Sequence, residues 1–149
     1  MHSRIIALGL NEKIDHIHED DMYEMMQGTA DYVVEAEPDE EWGYEILRRI
    51  GTVDLEQMTF KADPVLVKQR LEDLWAAYQE NIITSFDGFV DWLQVYRAKE
   101  TLDDKFGVHI YSDWAGYPET WHEFLRGLWG NQELMDATWH ISAIYDYHF

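Results

Sequence analysis

The sequence predicts an α+β fold in a single domain over residues 1–149, with a small, mostly antiparallel sheet of three or four strands packed against four or five helices. Three observations carry this expectation. At 149 residues, 46% of them hydrophobic, the chain holds enough apolar material for one real core and little reason for a second. Residues 139–149 alternate in the period of a strand, while several internal stretches repeat in the period of a helix. The two kinds of segment do not follow one another in regular βαβ order, so a doubly wound parallel sheet is not expected.

Taken along the chain, Ile5 to Leu10 reads as a short buried strand. Asp20 or Asp21 is placed to cap a helix through about Gln27, with Gly28 as its stop. Pro38 opens a second helix that runs to Ile50, acidic at its start, with Arg48 and Arg49 at its end, as the helix dipole favours. Thr52 to Phe60 alternates imperfectly and reads as one strand. Asp63-Pro64 is a helix start with a capping oxygen and a proline at the first helical position. Val65, Leu66, Leu71, Leu74, Trp75 and Tyr78 then form a core stripe.

A further helix is expected from Ser85 to about Lys105, with Phe86, Phe89, Val90, Leu93 and Tyr96 on its apolar side. Val108 to Tyr111 reads as a strand and Glu119 to Trp129 as a helix closed by Gly130. In the last strand Trp139, Ile141, Ala143, Tyr145, Tyr147 and Phe149 are expected on one face, opposite His140, Ser142, Ile144, Asp146 and His148.

Composition narrows the function. There are 30 acidic and 11 basic residues, a formal charge of −19. Direct binding to nucleic acid or to an anionic membrane surface is expected to be absent, because both need a free basic face. Without cysteine there is no disulfide, thiolate nucleophile or Cys-based zinc site. No apolar run reaches the length of a membrane span or of a signal-peptide core, so a cytoplasmic location is expected. The nine glycines form no phosphate-binding loop, and Ser112 and Ser142 have no glycine elbow around them. No cofactor and no catalytic residue is assigned.

What remains is charge and aromatic content. Residues 1–60 hold 15 acids and 4 bases, and Glu35, Glu37, Asp39, Glu40 and Glu41 form the sharpest acidic run. Seven tryptophans are present, of which Trp42 adjoins that run and Trp114 sits before a Gly116-Tyr117-Pro118 turn. The bland reading is a solvated acidic face over a Trp-rich core. The functional reading is a non-enzymatic inhibitor whose carboxylates stand in for phosphates in the basic groove of a nuclease, restriction enzyme or CRISPR-type effector. Asp20, Asp21, Glu35, Glu37, Asp39, Glu40 and Glu41 are the expected contact charges, with Trp42 and Trp114 as anchors.

Two alternatives stand beside it. Asp15-His16-Ile17-His18-Glu19-Asp20-Asp21 groups residues of metal-ligating type, so a small metal-dependent hydrolase using His16 and His18 is one alternative. The other is an assembly protein that forms a homodimer through the edge of its C-terminal strand.

Two short stretches carry a resemblance. Ser112-Asp113-Trp114-Ala115-Gly116-Tyr117-Pro118, followed by Glu123-Phe124, resembles a stretch of antirestriction proteins that mimic DNA. Tyr117-Pro118-Glu119-Thr120-Trp121 leading to Leu128-Trp129 is similar to the loop and helix of barstar-type nuclease inhibitors. Both imply an inhibitor of a nucleic-acid enzyme, and neither carries a functional residue over to this chain.

Overall fold

A computed structural model describes residues 1–36 and 42–149, with the side chain of Trp42 outside that description. The elements are β1 (His2–Leu10), α1 (Glu19–Met25), β2 (Tyr32–Glu35), α2 (Trp42–Arg48), β3 (Gly51–Asp54), β4 (Thr59–Ala62) and α3 (Pro64–Asn81). They continue with α4 (Phe86–Val90), α5 (Trp92–Leu102), β5 (His109–Ser112), β6 (Pro118–Thr120), α6 (Trp121–Gly130), α7 (Gln132–Asp136) and β7 (Trp139–His148).

The class is α+β, but the sheet is larger than the sequence predicts. Among the described residues, seven strands form one mixed sheet that curls into a half-barrel, and seven helices accompany it. The order is β3-β4-β7-β1-β5-β6, with β2 also on β7. The β1–β5 pair is parallel and the other pairs are antiparallel.

Strand β7 is the spine of this sheet. One of its edges pairs with β1 along nearly its whole length, from Trp139 opposite Leu10 to His148 opposite His2. Its other edge takes β4 at Trp139 and His140, then β2 at Tyr145 to His148. A strand paired on both sides is not an edge strand, so the expected edge position of the C-terminal strand is corrected. The expected single face of β7 is corrected too. The register slips at Ser142, where Ala7 faces Ala143 but Leu8 faces Ile141. An extra residue of this kind reverses the side on which later residues point. Trp139, Ile141 and Ile144 therefore enter one core, and Ala143, Tyr145 and Tyr147 the other.

The sheet is covered on both faces. One core joins Ile6, Leu8, Phe60 and Trp139 to Leu47 of α2, Val67 of α3, Phe124, Leu125 and Leu128 of α6 and Leu134 of α7. The other joins Ile5, Ala7, Tyr145 and Tyr147 to Met22 and Met26, at and just beyond α1.

Local chemistry explains the remaining departures from expectation. The stretch read as one strand over 52–60 is a hairpin, because the Asp54 carboxylate accepts from the N–H groups of Glu56 (3.0 Å) and Gln57 (3.1 Å) and closes a turn. Met58 completes that turn at φ 51°, a left-handed conformation uncommon outside glycine. The long helix expected from Ser85 is divided at Asp91. The Asp91 N–H ends α4 on the carbonyls of Asp87 and Gly88, while its carboxylate caps α5 at Leu93 (3.0 Å) and Gln94 (3.4 Å). Among the described residues no helix is long and apolar enough to cross a membrane.

Candidate functional site

The acidic stretch after β1 is held down by a few apolar side chains. Ile14 and Ile17 pack against the Tyr145–Tyr147 core, and the Tyr145 hydroxyl donates to the Ile17 carbonyl (2.5 Å). His18 then caps α1, its Nδ1 accepting from the Asp20 N–H (3.2 Å). Met22 and Met26, four residues apart, face the sheet, so the positions between them turn outward. Glu19, Asp20 and Asp21 fill the first turn, where the helix dipole stabilises negative charge. Strand β2 returns beside α1, and the Glu35 N–H donates to Glu19 Oε1 (2.7 Å).

The result is an acidic α1–β2 region holding Glu19, Asp20, Asp21, Glu24, Asp31 and Glu35, with Asp31 turned toward His148 on the other side of the sheet. The side-chain nitrogens nearest these acids among the described residues belong to histidine rings: His16 Nε2 lies 2.8 Å from Glu35, His18 Nδ1 3.6 Å from Asp20 and His148 Nδ1 3.1 Å from Asp31. No described Lys or Arg side chain makes an ion pair with these six carboxylates. The field of the face reaches inward. Tyr145 is fully buried, and burial, with Glu35 and Glu19 beside it, pushes its hydroxyl up to about 12. Tyr23 and Met25 stand exposed beside the α1 acids, whereas Tyr32 and Val34, alternating with buried Val33, are exposed on the other side of β2, where Tyr32 stacks on His148.

The structure thus brings together three of the sequence-predicted contact residues, Asp20, Asp21 and Glu35. Glu37, Asp39, Glu40 and Glu41 lie outside the described residues, as does the side chain of Trp42. Trp114 is exposed but elsewhere: it follows β5 by two residues, beyond the end of β1, where the Leu10 N–H donates to Asp113 Oδ1 (2.8 Å). Glu35 is level with Ile5 on β7, three strand spacings away from β5. At about 4.8 Å per strand and 3.3 Å per residue the two side chains stand on the order of 20 Å apart, so they do not form one patch.

The exposed apolar side chains Tyr23 and Met25 beside the acids were missed from sequence. Their signal was present: Tyr23 and Met25 flank Met22 and Met26 in positions that no single helix face can bury together. Sequence periodicity also placed Trp75 in a core stripe, and it left open where the Phe86–Tyr96 stripe faces. All are exposed, because α3 buries Val67 alone and α5 buries no residue.

Other chemistry finds less geometric footing. His16 and His18 spend their ring nitrogens on different neighbours, and no three His, Asp or Glu side chains among the described residues are grouped to hold a metal ion. A cleft of about 610 Å³ lies between α3, α5 and α6. It sets Arg70 and Arg97 among Asp73, Glu100 and Asp104, and its Thr101 hydroxyl donates to the Arg97 carbonyl (2.8 Å). Arg70 Nε and His122 Nδ1 are buried there without a partner. Glu119, on β6, has its carboxyl pushed up by burial and by neighbouring Glu123. Compared with known proteins, the chain matches no family model, no curated protein and no solved structure.

Proposed function

We propose that this protein is an acidic binding protein that enters the basic nucleic-acid groove of a nuclease, restriction enzyme or CRISPR-type effector and blocks it. The observation that carries the reading is the α1–β2 region, where six carboxylates from 17 residues of chain, five exposed and Glu19 half-buried, have histidine rings and no Lys or Arg as ion-pair neighbours among the described residues. Such a face is ready for a cationic surface, because no existing Lys or Arg pair must be broken first. The overall charge of −19 steers it there, raising association rates by roughly 10 to 10³-fold. Exposed Tyr23 and Met25 of α1 provide apolar contacts that charge alone does not.

The test is affinity capture on the immobilised full chain at about 50 mM and about 500 mM salt, a range over which the screening length falls from over 10 Å to about 4 Å. A basic nucleic-acid enzyme retained at low salt and released at high salt supports the reading. Retention of no such enzyme at low salt refutes it. In the triple variant Asp20→Lys, Asp21→Lys and Glu24→Lys, all at exposed positions, the fold should persist and the capture should disappear.

A further inference from the structure

The second exposed surface answers to a different chemistry. Phe86, Phe89 and Val90 of α4 and Trp92, Leu93 and Tyr96 of α5 follow one another around the Asp91 corner. Phe86 is 77% exposed, Phe89 67% and Trp92 76%. At ~150–250 Å² for a whole aromatic side chain, the six residues present about 700 Å² of mostly apolar surface. That exceeds the ~300–600 Å² of the largest patch on a typical monomer and approaches the ~800 Å² per partner of a stable interface.

We infer that this surface is where a second copy of the chain docks, α5 against α5 in antiparallel, two-fold fashion. Charge selects that occupant. Residues 64–102 hold 6 acidic and 4 basic residues, net −2, which leaves −17 to the other 110 residues. A second acidic chain meets its least repulsion here, whereas a basic partner is drawn to the α1–β2 face. The patch is also complementary to itself. Asp87 and Asp91 stand at its N-terminal end, and Arg97 and Lys99, neither in an ion pair among the described residues, stand near the C-terminal end of α5. Asp91 and Lys99 are eight residues apart, about 12 Å along a helix. An antiparallel pair centred on Val95 sets the acidic end of each helix against the basic end of the other, as an isologous interface requires. The inference does not rest on the proposed groove-binding role and holds or fails independently of it.

Sedimentation equilibrium of the full chain over a concentration series tests it. A species of twice 17.7 kDa is expected. Its association should strengthen between about 50 and 500 mM salt, because salt screens the repulsion between two chains of like charge. Phe89→Asp and Trp92→Asp should each weaken association by about thirtyfold or more, the loss of one interface hot spot. Both replace exposed side chains, so circular dichroism and Tm should hold steady. Lys99→Glu should weaken the dimer, and adding Asp91→Asn, which keeps the α5 cap while removing the opposed charge, should partly restore it. A monomer throughout the series up to about 100 μM, or a dimer indifferent to both Phe89→Asp and Trp92→Asp, overturns the inference.

Discussion

Raising the pH above 10 should unfold this protein through its two central tyrosines, and Tyr147→Phe should halve the effect. Tyr145 and Tyr147 are fully buried on β7, their hydroxyls donating to the carbonyls of Ile17 and Gly107, each at 2.5 Å. Burial first, then Glu35 and Glu19, pushes Tyr145 up to about 12; burial first, then Asp104, does the same for Tyr147. An unfolded tyrosine ionises near 10. Both phenols therefore contribute stability that is fully present below pH 10 and is lost as pH rises through 12. A two-unit difference corresponds to roughly 3 kcal/mol at most for each residue, so the pair removes up to ~5 kcal/mol. That is comparable to the whole stability of a small domain, ~5–15 kcal/mol. Urea melts followed by circular dichroism from pH 8 to 11.5 read this directly. At pH 8 the Tyr147→Phe variant should be about 1 kcal/mol less stable, for the lost hydrogen bond. Above pH 10 it should lose stability at about half the wild-type slope, so that the two curves meet near pH 11. Equal slopes in wild type and variant would refute the reasoning.

Other expectations follow from the same structure. Trp139→Ala should cost about 3–5 kcal/mol in a urea melt, because the indole is buried against Phe124 and its N–H donates to the Leu134 carbonyl (3.2 Å). Trp75→Ala, at an exposed helix position, should cost less than about 1 kcal/mol. Glu119→Gln should raise Tm at pH 7, where the half-buried carboxylate is charged beside Glu123, and leave it unchanged at pH 3, where the carboxyl is neutral. Asp91→Ala should fray α5 and cost about 1 kcal/mol, since the carboxylate accepts from Leu93 and Gln94.

The helices were legible where a cap and a stripe coincide. Asp63-Pro64 opens α3 as the residue types require, with the Asp63 carboxylate accepting from Val65 (2.9 Å). Strand β7 was legible from its alternation, but its bulge was not. Ser142 has no property that marks it as an extra residue; the slip is defined only against β1, more than 130 positions earlier in sequence. The short strands β2 and β6 were missed for a similar reason. Tyr32–Glu35 and Pro118–Thr120 are too brief to show a period, and pairing with β7 and β5 makes them strands. In the candidate site, charge was legible and proximity was not. Asp20 and Asp21 meet Glu35 because Met22 and Met26 anchor α1 beside β2, a long-range event. Periodicity announced Phe86, Phe89, Val90, Leu93 and Tyr96 as an apolar stripe but did not say whether it faced the core or a partner. Their exposure shows that it does not face the core.

The claim that the acidic α1–β2 face occupies a nucleic-acid groove is tested most directly by competition. An enzyme captured at low salt is loaded with labelled duplex DNA, and the protein is titrated in while anisotropy is read. The account predicts one-for-one displacement of the DNA, weakening steeply with salt and absent in the variant carrying Asp20→Lys, Asp21→Lys and Glu24→Lys. DNA that stays bound at saturating protein, or displacement that the triple variant performs equally well, would contradict it.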